Sequence, residues 1–145
     1  MAAMERQFPS RRSPRRSPLA LPDGSGPRAA RAHAASLARE FGVPEDARIA
    51  LGLVVSELCT NAHLHARGPG MPHPTCSIRM GVGRCVLEVW DHLPWQDLRA
   101  TAEAAGSPDG AESGRGLTIV TALAESWGVR PSARGGKVVW AVLAW

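Results

Sequence analysis

Val55-Ser56-Glu57-Leu58-Cys59-Thr60-Asn61-Ala62-His63-Leu64-His65-Ala66 is the stretch on which the reading of this chain turns. It closes a longer segment, Glu45 to Ala66, in which Leu51, Val54, Val55, Leu58 and Ala62 recur at the spacing of one helical face. Gly68-Pro69-Gly70 then ends the helix. Glu57 and Asn61 stand four residues apart, which puts them about 40° apart around the axis and one turn along it, at the edge of the apolar stripe. A carboxylate and an amide oxygen so placed can serve one site, because magnesium takes hard oxygen ligands and keeps waters and phosphates for its other positions. By spacing alone the pair is weak evidence, since Glu and Asn on a solvated helix edge are commonplace and that plain reading comes first. His63 and His65 do not make a metal pair: two residues apart on a helix, they point about 200° away from each other. His65 shares the face of Asn61, where it either orients that amide or is plainly structural.

Outward from this helix the punctuation is regular. Pro27 to Phe41 is alanine-rich with Leu37 and Phe41 at helical spacing, and Gly42-Val43-Pro44 stops it. Thr75 to Met80 alternates Cys76, Ile78 and Met80 with Thr75, Ser77 and Arg79, and Cys85 to Trp90 is rich in β-formers, with Gly81-Val82-Gly83-Arg84 as the hairpin turn between them. Asp91 to Ser113 is polar and small-residued, a length of loop that suits a lid over a ligand. Gly116 to Ser126 reads as a helix with Leu117, Val120, Leu123 and Ala124 on one face. Trp127–Arg130 and Lys137–Trp145 read as strands around Ala133-Arg134-Gly135-Gly136, and Trp127, Trp140 and Trp145 are expected in the core. Two strand pairs with helices between them predict a two-layer α/β sandwich, a mixed and mostly antiparallel sheet with helices on one face. A parallel dinucleotide fold is disfavoured, since Gly114-Arg115-Gly116 lacks the third glycine and no strand directly precedes it. Gly135-Gly136-Lys137-Val138 lacks the Ser or Thr of a P-loop.

A chain of 145 residues fits one domain, and no second catalytic module fits beside it. Cys59, Cys76 and Cys85 are odd in number and form no Cys-x-x-Cys pair, which predicts neither a disulfide framework nor a zinc site but buried thiols in a reducing compartment. The formal charge of +4 is concentrated in Arg6, Arg11, Arg12, Arg15 and Arg16. That stretch carries twin arginines but no apolar export run, so a cytoplasmic protein is expected, and no segment reaches the length of a membrane span. Residues 1–26 are expected to be a disordered basic tail and residues 27–145 the folded domain. Nucleic-acid binding through that tail is the least favoured function.

The Glu57–Asn61 string resembles the first sequence box of the GHKL ATPases, the superfamily that holds the gyrase, Hsp90, MutL and histidine-kinase ATP domains. Val86-Leu87-Glu88-Val89-Trp90-Asp91 resembles the strand leading to the aspartate of the second box, and Gly114-Arg115-Gly116-Leu117-Thr118-Ile119-Val120 resembles the third. The resemblance covers roughly Ala47 to Trp145 and implies a Bergerat-type fold that binds ATP with Mg2+. It implies that Asn61 ligates the metal, that Glu57 is the general base, and that Asp91 accepts from the adenine amino group. Gly114, Arg115, Gly116 and Leu117 would be the phosphate-side contacts, the glycines admitting a close backbone approach at a helix N-terminus. Arg115 either adds a charge there or is merely solvated. One departure stands out: the second box usually continues Asp-x-Gly-x-Gly, whereas here it runs Asp91-His92-Leu93-Pro94-Trp95 with neither glycine.

Length narrows the family further, because the larger members need transducer or phosphoacceptor segments for which this chain has no room. Glu-Leu-x-x-Asn-Ala, Gly-Arg-Gly-Leu and a late Gly-Lys-x-Val-Trp resemble the short bacterial anti-sigma-factor serine/threonine kinases, especially actinobacterial ones. That resemblance implies a regulator that holds a sigma factor and phosphorylates a serine on an antagonist protein, with a homodimer compatible with such a role. The rival expectation is an ATP-gated partner-binding module without kinase activity.

Overall fold

The computed structural model describes residues 15–20, 26–65, 69–95 and 115–145. In chain order the elements are β1 (Arg15–Ala20), α1 (Gly26–Glu40), α2 (Glu45–His65), β2 (Thr75–Gly81), β3 (Arg84–Asp91), α3 (Arg115–Leu123), β4 (Ser126–Pro131) and β5 (Lys137–Ala144). The strands form one sheet in the order β1-β2-β3-β5-β4, every neighbouring pair antiparallel. The expected two-layer α/β sandwich is what the chain forms.

Local chemistry sets the boundaries. Beyond α1, Gly42 takes φ 65°, its N–H donates to Arg39 O and that of Val43 to Ala38 O, so the helix closes in the paired pattern that glycine at this position permits. The β2–β3 hairpin turns at Val82-Gly83, with Gly83 at φ 68°. Alternation then divides the sheet. Cys76, Ile78 and Met80 of β2, Cys85, Leu87 and Val89 of β3, and Val139, Ala141 and Leu143 of β5 join the buried stripes of the helices: Ala30, Ala34 and Leu37 of α1, Leu51, Val54, Val55 and Leu58 of α2, Leu117 and Val120 of α3.

Three expectations need correction. Residues 15–20, read by composition as part of a disordered tail, form β1, paired from Arg15↔Met80 to Ala20↔Thr75. An edge strand needs only backbone partners on one side, and the missing N–H of Pro18 is tolerated there, so apolar content was a poor guide. Residues 1–14 and 21–25 lie outside the described residues. Trp127 is core as expected, but Trp145 lies beyond β5 and is 37% exposed. Trp140 is half-buried on the sheet face away from the helices, its ring filling the space where Gly128 would carry a Cβ. Odd and even positions of β5 face opposite layers, so Val139 and Trp140 cannot share one core.

Candidate functional site

Glu57 and Asn61 lie one turn apart near the end of α2, both half-buried. Facing Glu57 is the first turn of α3. A Cβ built on Gly116 would fall on the Glu57 carboxylate, so the glycine lets the two helices approach at that side chain. The first turn of a helix carries N–H groups without intrahelical partners and the positive end of the helix dipole, an environment suited to an anion. The structure therefore joins the first and third sequence boxes through Glu57 and Gly116. Leu117 is 3% exposed and packs in the core, so it can face a ligand only through its backbone. Gly114 and most of the expected lid, from residue 96 onward, lie outside the described residues. His65 is exposed, and among the described residues no hydrogen bond joins it to Asn61.

At the end of β3, Asp91 stands directly across from Lys137, the first residue of β5. Lys137 Nζ donates to Asp91 Oδ1 at 2.7 Å and to Oδ2 at 2.9 Å, and Leu93 N donates to Oδ1 at 2.9 Å. The side chains of Lys137 and Asp91 are only 6% and 4% exposed. Sequence reasoning placed Asp91 correctly at a strand end but missed Lys137. No local signal marks it, because the turn at Gly135-Gly136 sets the register of β5 on β4, whereas Asp91 lies on β3.

The β4–β5 hairpin is fastened to that end of the sheet. Gly136 takes φ 72° and lies so close to the backbone of Asp91 and His92 that a Cβ would meet Asp91 O and sit 2.8 Å from His92 Cα. Trp90 Nε1 donates to Gly135 O at 2.9 Å. The Arg134 guanidinium stacks 4.0 Å over the Trp90 ring and donates to Thr75 Oγ1 at 3.0 Å. Beyond Asp91, Trp95 Nε1 donates to Val129 O at 3.3 Å, holding the start of the long loop against β4.

The chain belongs to the histidine kinase-like ATPase domain family, whose pattern matches residues 25–143. That membership carries the GHKL assignment, and it implies ATP as the ligand. In fold the chain is similar to a chain of the SiaB–SiaC complex from Pseudomonas aeruginosa, with TM-score 0.65 at 16% identity over 98% of this chain and 96% of that one. No curated protein is a significant relative in sequence.

The residues present fit such a ligand. Asp91 and Lys137 together offer an acceptor and a donor at the end of β3, and His92 Nδ1 beside them is buried with no partner. Glu57 offers its carboxylate at the first turn of α3, and Asn61 lies one turn further along α2. Among the described residues no group of three or more His, Cys, Asp or Glu could hold a metal ion. Magnesium keeps water and phosphate for most of its positions, so a site for that ion does not need such a group. Among the described residues no helix is long and apolar enough to cross a membrane. Of the thiols, Cys59 is pushed up by its hydrogen bond with Cys76 and by burial. Burial pushes Cys85 up to about 12. All three are free and buried, as expected.

Proposed function

We propose that this domain is an anti-sigma-factor serine/threonine kinase, binding ATP with magnesium and phosphorylating a serine of an antagonist protein. The contact between Glu57 and Gly116 supports this most strongly, because it sets a carboxylate at the helix start where the family's phosphate-side box begins. ATP would supply its γ-phosphoryl group to the serine oxygen, the bond to the β-phosphate breaking and ADP leaving. Glu57 would take the proton of the attacking serine hydroxyl, Asn61 would hold the metal, Asp91 would accept from the adenine amino group, and Gly114, Arg115, Gly116 and Leu117 would border the phosphates. The partners are the sigma factor and the antagonist; the SiaB–SiaC complex provides a precedent for this fold in a two-protein assembly. The test is direct: purified protein with labelled ATP and a candidate antagonist must yield serine phosphate.

A second reading, an ATP-gated module that binds partners without phosphorylating them, is favoured by one observation. The segment after Asp91 lacks the family's glycines, contains Pro94 and is held to β4 through Trp95. ATP binding without any serine phosphate would favour this module over the kinase.

A further inference from the structure

We infer that Lys137 is a specificity-determining residue that reads the nucleotide base jointly with Asp91; this rests on the ATP-binding reading above. The two side chains have hydrogen-bonding capacity that they do not use on each other. A carboxylate oxygen has two good acceptor positions, and an ammonium has three donors. Asp91 Oδ1 already accepts from Lys137 Nζ and from Leu93 N, so its positions are filled. Oδ2 accepts only from Lys137 Nζ, which leaves it one position. Lys137 spends at most two of its three N–H groups on Asp91, so at least one donor remains. The pair thus presents one acceptor and one donor side by side, 2.9 Å apart, in a place where water hardly reaches.

Buried polar capacity of this kind is costly to leave unused. The unpartnered Nδ1 of His92, next in the chain, marks the same end of the sheet as short of partners. An adenine edge carries a donor at N6 beside an acceptor at N1, the complement of Oδ2 beside Nζ. Guanine in the same pose would set its O6 against Oδ2 and its N1–H against the ammonium, a mismatch at both positions. Asp91 alone would test only the first of these, so Lys137 adds a second check on the base. The fixed hairpin serves this role, since Gly136 is seated on the Asp91 backbone and Arg134 on Trp90, and Lys137 follows directly as the first residue of β5.

The experiment compares ATP with 1-deaza-ATP, in which C–H replaces N1, by calorimetric or fluorescence binding to the full-length protein. Loss of a hydrogen bond to a charged donor predicts about tenfold or more weaker binding of the analogue. Lys137→Met should bring the two ligands to equal affinity. Asp91→Asn shields the test from a stranded charge: alone it should still prefer ATP over 1-deaza-ATP, and combined with Lys137→Met it should not. Equal affinities in the unmodified protein would overturn the inference while leaving ATP binding intact, as would a preference that survives loss of Lys137. Failure of ATP itself to bind would instead remove the nucleotide reading, and the inference with it.

Discussion

Gly116 is bare where Glu57 carries its carboxylate: a Cβ on the glycine would clash with Oε2 and lie 3.4 Å from Cδ of Glu57. Gly116→Ala therefore displaces the tip of a flexible side chain, and alanine adds helix propensity of about 1 kcal/mol over glycine. Thermal stability should hold or rise while phosphoryl transfer falls, because Glu57 is turned from its place. Gly136→Ala should do the opposite. There the obstacle is backbone and φ is positive, so urea unfolding should show a loss of about 2 kcal/mol or more.

Glu57→Gln keeps the shape of the side chain but removes the proton acceptor. ATP should still bind, and transfer to serine should drop by about 10²–10⁴. Asn61→Ala should instead weaken magnesium-dependent nucleotide binding itself. The two substitutions, run side by side in binding and transfer assays, leave different signatures if the roles are as proposed.

Because the Asp91–Lys137 pair is buried, removing one partner strands the other. Lys137→Met alone should cost about 3–5 kcal/mol in urea unfolding, and Lys137→Met with Asp91→Leu should recover most of that loss. Costs that simply add would show that the two groups do not depend on each other.

Deleting residues 1–14 leaves the six register pairs of β1 with β2 in place, whereas deleting residues 1–20 removes them and bares the edge of β2. The longer deletion should lower the melting temperature more than the shorter one. Each kcal/mol lost corresponds to roughly 4 °C in a domain of this size. Equal melting temperatures would show that the pairing adds nothing.

Stability should fall in alkali for a definable reason. The Cys85 thiol is raised from 9.0 to about 12, so between those values the unfolded chain has lost this proton and the folded one keeps it. Fewer protons on the unfolded side make stability fall as pH rises, by about 1.4 kcal/mol per pH unit for each such thiol. Below pH 9 both states hold the proton and the effect is absent. Cys85→Ala should flatten the slope of unfolding free energy against pH between about 9 and 11 by that amount.

The helices and strands of the domain were legible because each carries its own period and its own stop: Gly42 after α1, Gly83 in the hairpin, the Leu51–Ala62 stripe along α2. Glu57, Asn61 and Asp91 stood out only through the three boxes that resemble the GHKL ATPases, since a carboxylate and an amide one turn apart are ordinary on a helix edge and an aspartate is ordinary at a strand end. What composition obscured was β1, whose claim on the sheet is a row of backbone partners and leaves no apolar signature. Lys137 was obscured for a different reason. Its role comes from strand register, and nothing within three or four residues of it points to a carboxylate 46 positions earlier. Trp140 was misplaced because aromatic content suggests burial but does not choose a face.

β5 follows every other strand in the chain yet lies between β3 and β4 in the sheet. During synthesis on a ribosome, β3 emerges with Asp91 at its end and no neighbour on that side, and β4 follows with nothing to pair with. Both wait for one late segment. The sheet can only zip shut once Lys137–Ala144 has left the exit tunnel, so the middle of this fold is completed after its flanks, and a stalled or shortened nascent chain would present two unpaired strand edges to the cell's chaperones.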